Sequence, residues 1–206
     1  MGGRQPERGP VALESLDRWR DRLRAGATGA ASALPDLAPL YWRAVYFRGG
    51  IEGINRLLLT EKRRTIDLLR CFGAAIGPDC SVYGPVFVNS FTNYGNLSVG
   101  RHVHIGQCVF LDLGGELLIE EEATISMRCT LLTHQDVGER PLAGRYPRLE
   151  APVRIGHGAY LGAGVIVLPG VSIGAESVVG AGSVVTRSLP AGVIAAGSPA
   201  EIKSRR

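Results

Sequence analysis

The chain has 206 residues, of which 45% are apolar and 20% charged, with a formal net charge of +4. That length accommodates one large domain or one domain with an appendage. No run of about 18 apolar residues offers a membrane span, and residues 1–10 lack the apolar stretch of a secretory leader, so a cytoplasmic location is expected. The basic excess sits in residues 1–70, where it reads as solvated helix faces ahead of a polyanion- or membrane-binding surface. Four cysteines, Cys71, Cys80, Cys108 and Cys129, form no CxxC pair and read as thiols, with Cys80 and Cys129 at buried repeat positions.

Residues 1–12 are rich in Gly and Pro. Residues 13–25 predict an amphipathic helix, since Leu13, Leu16, Trp19 and Leu23 follow helical spacing. Residues 35–47 supply a second apolar segment, closed by Gly49 and Gly50. Residues 52–71 predict the longest helix, with Ile54, Leu57, Leu58, Ile66 and Leu69 on its apolar stripe and Arg63, Arg64 and Arg70 opposite. Together, residues 1–75 make a helical region that caps whatever follows.

From Ile76 the pattern changes. An aliphatic residue recurs every sixth position: Ile76, Val82, Val88, then Val99, Ile105, Leu111, then Ile119, Ile125, Leu131, and without a break Ile155, Leu161, Val167, Ile173, Val179, Val185. Six steps of 100° do not return to one helix face, so the period excludes an α-helix. Gly follows the aliphatic residue at Gly156, Gly162, Gly174 and Gly180, and a small or β-branched residue comes four positions after it. Such a short fixed period is the signature of a parallel β-helix, mainly β, with one strand and one turn per repeat. The glycines are expected to relieve its corners. Two interruptions matter: a polar stretch, residues 89–98, and the charged, Pro-containing residues 133–152, which a packed coil cannot hold and must extrude as a loop. The β-helix domain is expected over residues 76–190, with residues 191–206 a closing segment and basic tail.

The block IGHGAYLGAGVIVLPGVSIGAESVVGAGSVVT, followed by AAGSPAEIK, closely resembles the C-terminal half of hexapeptide-repeat acyltransferases, in particular galactoside/maltose and colanic-acid-type polysaccharide O-acetyltransferases. The resemblance covers residues 65–203. It implies a left-handed β-helix with three hexapeptides per triangular coil, a homotrimer with active sites between subunits, and acetyl-CoA (or another acyl-CoA) running along the coils, with no metal.

Moving an acyl group from a thioester to a hydroxyl of a sugar, polysaccharide precursor or specialised metabolite needs a base and an oxyanion donor. Of His102, His104, His134 and His157, His134 stands at the root of the loop in LLTHQD, where the family's catalytic His follows a Thr-containing strand end, and is taken as general base. The resemblance places the oxyanion donor at the Ala163 N–H. It places cofactor contacts at Tyr160, Ala163, Ala181, Thr186, Arg187 and Lys203, with Arg205 and Arg206 as further phosphate partners. On the acceptor side it aligns the family's Asn with Gly106, and it gives Thr92, Asn93 and Asp112 as substrate contacts. Asp112 has two further readings, as the group that orients His134 or as a solvated corner residue.

Two alternatives use the same fold. A γ-carbonic-anhydrase-like zinc enzyme needs three converging His, whereas His102 and His104, read as sharing one side of a strand, find no third ligand in the next repeat. A non-catalytic scaffold would not need the Thr133–His134 pair or the Gly162–Ala163–Gly164 corner. A covalent Cys route is disfavoured because no Cys adjoins His134 in sequence.

Overall fold

The computed structural model describes residues 37–61 and 63–205. The helix expected over residues 13–25 lies outside them. The first coil comprises β1 (Ala75–Ile76), β2 (Ser81–Val82) and β3 (Phe87–Asn89). The second comprises β4 (Leu97–Val99), β5 (His104–Ile105) and β6 (Phe110–Asp112), and the third β7 (Leu117–Ile119), β8 (Thr124–Ile125) and β9 (Thr130–Leu131). The chain then leaves the solenoid through β10 (His134–Gln135), a 3-10 turn at Pro141–Gly144 and β11 (Leu149–Glu150). It returns for β12 (Val153–Ile155), β13 (Tyr160–Leu161) and β14 (Ile166–Val167), then β15 (Ser172–Ile173), β16 (Val178–Val179) and β17 (Val184–Val185). The end is β18 (Val193–Ala196) and β19 (Glu201–Arg205).

Three parallel sheets make the faces of the prism. The first is β1-β4-β7-β12-β15, the third β3-β6-β9-β14-β17, and the second runs from β2 through β5, β8, β13 and β16 to β18, with β19 added antiparallel at its edge. Register keeps the six-residue beat in step. Ile76, Val99, Ile119, Ile155 and Ile173 align on the first face, and Val88, Leu111, Leu131, Val167 and Val185 on the third. All ten are buried. Each apolar side chain so enclosed contributes about 1.5–3 kcal/mol.

The repeat glycines serve close approach more than backbone freedom. A Cβ on Gly162 would meet Ala181 N at 2.6 Å, and one on Gly174 would meet Ala191 N at 2.3 Å, so adjacent coils could not close up. Left-handed backbone falls two residues later in most repeats, where Asp79, His102, Cys108, Glu122, Arg128 and Glu176 adopt it alongside several glycines.

The N-terminal helices differ from the reading of the sequence. Helix α1 (Ala38–Leu58) contains a non-helical break at Gly50 (φ 58°, ψ −159°), where the second apolar segment was expected to close. The long helix expected over residues 52–71 is instead split, with α2 running only from Thr65 to Cys71. Between them the Glu61 carboxylate accepts from Arg63 N and Arg64 N at 2.8 and 2.9 Å, which favours a turn over a continuing helix. Arg70 reaches the carbonyls of Ile76 and Gly77, and the Arg64 guanidinium lies over the buried Trp42 ring, 5.1 Å from its centroid. Both therefore tie the helices to their surroundings instead of facing only solvent. The solenoid also extends past residue 190: β18 continues the second face and the expected tail is strand β19. Cys129 is buried as expected but Cys80 only partly so. Their thiols donate to the carbonyls of Gly162 and Gly100, and burial pushes both thiols up, away from the reactive thiolate.

Candidate active site at one corner of the prism

The interruptions of the repeat all fall at the same corner, between the third and first faces. Residues 90–96 follow β3, residues 113–116 follow β6, and the extruded loop follows β9. The loop is pinned at its root by β10–β11 pairing, His134 opposite Glu150, and by Arg148 bridging Asp136 and Glu150 at 3.4 and 2.9 Å. His134 is therefore carried by the first residues after the coil, on backbone held from both sides.

Beneath it lies Asp112, only 1% exposed. One carboxylate oxygen accepts from His134 Nδ1 at 2.6 Å, from His134 N and Thr133 N at 2.8 Å each, and lies 3.1 Å from the Thr133 hydroxyl. The other oxygen accepts from Asn89 Nδ2 at 3.2 Å and Gly114 N at 3.3 Å. Burial alone would push this carboxyl up, but the backbone bonds from His134 and Thr133, with the imidazole bond, outweigh it and hold the group below its ordinary range. An ionised Asp112 makes Nδ1 the protonated nitrogen and leaves Nε2 its lone pair. Nε2 has no hydrogen-bond partner among the described residues, and the His134 side chain is 15% exposed.

The imidazole fits here because residue 114 has no side chain. A Cβ on Gly114 would stand 2.5 Å from His134 Nδ1 and 2.9 Å from its Cγ. Gly114→Ala is expected to swing the ring off Asp112 and cut turnover about 10²-fold, the cost of an ångström-scale misplacement. Steady-state assay beside a melting curve separates this from unfolding.

The other candidates are spread over two corners, the second face and the last strand. Thr92 and Asn93 are exposed on the His134 corner, after β3, and Thr186 and Arg187 are exposed there too, after β17. Tyr160 points outward from the second face beside Thr124 and Val178. Ala163 and Ala181 stack at the corner of the second and third faces, Gly182 N donating to Ala163 O at 2.9 Å. Lys203 is on edge strand β19. The amide of Ala163 has no acceptor among the described residues, whereas Gly162 and Gly164 on either side donate to Val179 O and Met127 O.

Residues 152–187 match the hexapeptide repeat of succinyl-transferase. The galactoside O-acetyltransferase of Lactococcus lactis subsp. lactis (strain IL1403) is 30% identical over 161 residues, which cover 75% of this chain and 74% of that one. The colanic acid biosynthesis acetyltransferase WcaF of Escherichia coli (strain K12) is 36% identical over 140 residues, 68% of this chain and 73% of that one. The chain belongs to the hexapeptide-repeat acyltransferases. The same triangular solenoid recurs in a galactoside acetyltransferase solved with coenzyme A, at a TM-score of 0.66 and 24% identity over 90% of this chain and 89% of that one. It recurs also in the hexapeptide-repeat acetyltransferase VCA0836 of Vibrio cholerae, at a TM-score of 0.67 and 20% identity over 90% and 98%. As a hexapeptide-repeat acyltransferase the protein is an O-acetyltransferase.

Several sequence readings change. Asp112 was placed among acceptor contacts, yet it is buried and both its oxygens are occupied, so it reaches the site only through His134. Asn89, passed over as part of a polar interruption, is its partner; the only signal in the sequence was its place one residue beyond the Val88 repeat position. Gly106, aligned with the family's acceptor-side Asn, admits no side chain, because a Cβ would meet Met127 N at 2.6 Å. His102 and His104 do not share a side. His102 sits in a left-handed turn 3.8 Å from Asp79, and His104 packs on the Tyr83 ring at 5.3 Å. Among the described residues no three His, Cys, Asp or Glu converge as a metal site, and the relatives favour acetyl transfer over a zinc lyase. No described helix is long and apolar enough to cross a membrane.

Proposed function

We propose that His134, oriented by Asp112, is the general base that moves an acetyl group from acetyl-CoA to a hydroxyl of a sugar or glycan precursor, in a site completed by a second copy of the chain. The observation that carries this reading is the 2.6 Å contact between His134 Nδ1 and the buried Asp112, which leaves Nε2 ready to accept a proton. Nε2 takes the acceptor's hydroxyl proton as the oxygen attacks the thioester carbon. The Ala163 N–H stabilises the tetrahedral oxyanion, and the CoA thiolate leaves with the proton returned from His134. Atoms balance as acetyl-CoA plus alcohol giving ester plus CoA–SH.

Cofactor binding is assigned to Tyr160, Ala163, Ala181 and Lys203 of one copy and to Thr186 and Arg187 of the next. The placement of His134 and of Ala163 on different corners of a rigid prism supports this division, since one chain cannot fold them together. A closed ring of three copies, each corner meeting its neighbour's other corner, satisfies it.

The test is complementation. Purified His134→Ala and Ala181→Trp variants are each expected to release almost no CoA from acetyl-CoA in the presence of sugar acceptors, and mixed, reassembled oligomers to regain activity. Sedimentation should give three chains per particle. Failure of mixed oligomers to recover would show that the two corners do not serve one site.

A further inference from the structure

Phe91 lies 64% exposed at the rim of the site. It stands edge-on to His134, ring centroids 6.0 Å apart and planes at 67°. The segment bearing it is built to keep it there. Ser90 Oγ donates to the Asn93 carbonyl, and Asn93 Oδ1 accepts from Gly95 N at 2.7 Å. Tyr94, fully buried, donates its hydroxyl to Asn55 Oδ1 of α1 at 2.8 Å, and its backbone N–H donates to Phe72 O at 2.8 Å. The Phe72 ring meets Tyr94 edge-on at 6.3 Å and the Tyr46 ring of α1 at 5.4 Å. An exposed aromatic on a loose loop would fold back or sample solvent; here helix, turn and coil hold one in place beside the base.

We propose that Phe91 is the specificity-determining platform for the acceptor: it stacks the C–H face of a pyranose ring and thereby sets that ring's hydroxyl at His134 Nε2. The proposal rests on the acetyl-transfer reading above. The physical basis is the affinity of an aromatic face for polarised C–H groups and the exclusion of water from the side of the imidazole that it covers. Polar neighbours complete the selection, because exposed Thr92 offers a hydroxyl at the rim while the Asn93 carbonyl oxygens are already engaged within the turn. A flexible acyclic alcohol gains nothing from such a platform, so ring acceptors are favoured over chain acceptors. The helical region then has a second role besides covering the first coil, since the Asn55–Tyr94 bond anchors the acceptor platform to α1.

The experiment compares wild type, Phe91→Ala and Phe91→Trp at saturating acetyl-CoA, with methyl β-D-galactopyranoside, methyl α-D-glucopyranoside and maltose as ring acceptors and glycerol as the chain acceptor. Acetyl-CoA affinity is measured by calorimetry and folding by thermal melting. The wild type should use at least one ring acceptor far better than glycerol. Phe91→Ala should raise the KM for that ring about tenfold and so shrink its advantage over glycerol, leave acetyl-CoA affinity and melting unmoved, and be rescued in Phe91→Trp. The proposal is overturned by an unchanged ring KM in Phe91→Ala, by a matching loss of acetyl-CoA affinity, or by a wild type that treats glycerol and rings alike. A wild type that binds acetyl-CoA but acetylates none of the rings also overturns it and leaves acetyl transfer standing, whereas no acetyl-CoA binding at all removes both.

Discussion

Replacing His134 by alanine is expected to lower acetyl transfer by about 10²–10⁴-fold, the range that a positioned proton acceptor contributes. The loss should fall on kcat. Acetyl-CoA affinity should hold, because Tyr160, Ala163, Ala181 and Lys203 stand away from the His134 corner and Thr186 and Arg187 lie two coils further along it. The fold should also hold. His134 lies at the mouth of the loop, and Asp112 keeps its bonds from Thr133 N and from the backbone of residue 134 when the ring is removed. His134→Gln is the sharper variant: it fills part of the imidazole's space and can donate to Asp112 but cannot take a proton at neutral pH. Equal damage from both substitutions, with unaltered melting and CoA binding, would locate the effect in proton transfer. Wild-type turnover in either would remove His134 from the mechanism.

The solenoid was legible because its constraint is one-dimensional. An inward aliphatic residue every sixth position is demanded by every coil, and a strand that slipped by one residue would turn its whole apolar set outward. Register pairs such as Ile155 with Ile173 and Leu161 with Val179 are what that demand looks like in space. The gaps in the beat were equally informative. Their lengths located every insertion, although only the folded chain shows that the insertions after β3, β6 and β9 share one corner. The helices were less legible. Helical spacing continues through residues 52–71, and nothing in that periodicity reveals that Glu61 turns its carboxylate onto Arg63 N and Arg64 N. Nor does a period of six tell close approach from backbone freedom. The reason for Gly162 is the amide of Ala181 in the next coil, a contact nineteen residues away in sequence.

The site was half legible for a related reason. His134 is marked by its position, the last ordered step before a stretch that cannot pack. Asp112 and Asn89 are marked by nothing local. They adjoin each other and His134 only because one coil advances the chain by a nearly fixed number of residues, so that Asn89 pairs in register with Asp112 and Asp112 lies beneath Thr133. Sequence spacing left Asp112 between an acceptor contact, an orienting group and a solvated corner. Burial decides among the three, and burial depends on the loop root that folds over it.

Asp112→Asn should show how much rests on that carboxylate. Both oxygens face donors: His134 Nδ1, His134 N and Thr133 N on one side, Asn89 Nδ2 and Gly114 N on the other. An amide must turn its NH2 toward one set, leaving buried donors opposed, and either way it loses the charge those donors solvate. The expected cost to folding is about 3 kcal/mol. Turnover should fall about 10²–10⁴-fold, as for a triad whose acid is made neutral and whose histidine takes the wrong tautomer. The pH dependence has a definite sign. Because the folded chain holds Asp112 below its ordinary range, the stabilisation is complete above the unfolded carboxyl value of about 3.9. It is lost as pH falls through the lower, folded value. The gap in melting temperature between wild type and Asp112→Asn should therefore be full at neutral pH and close in acid, below about pH 4. A gap that persisted unchanged in acid would mean that the Asp112 side chain contributes by shape alone, and a variant with wild-type turnover would mean that His134 needs no orienting partner.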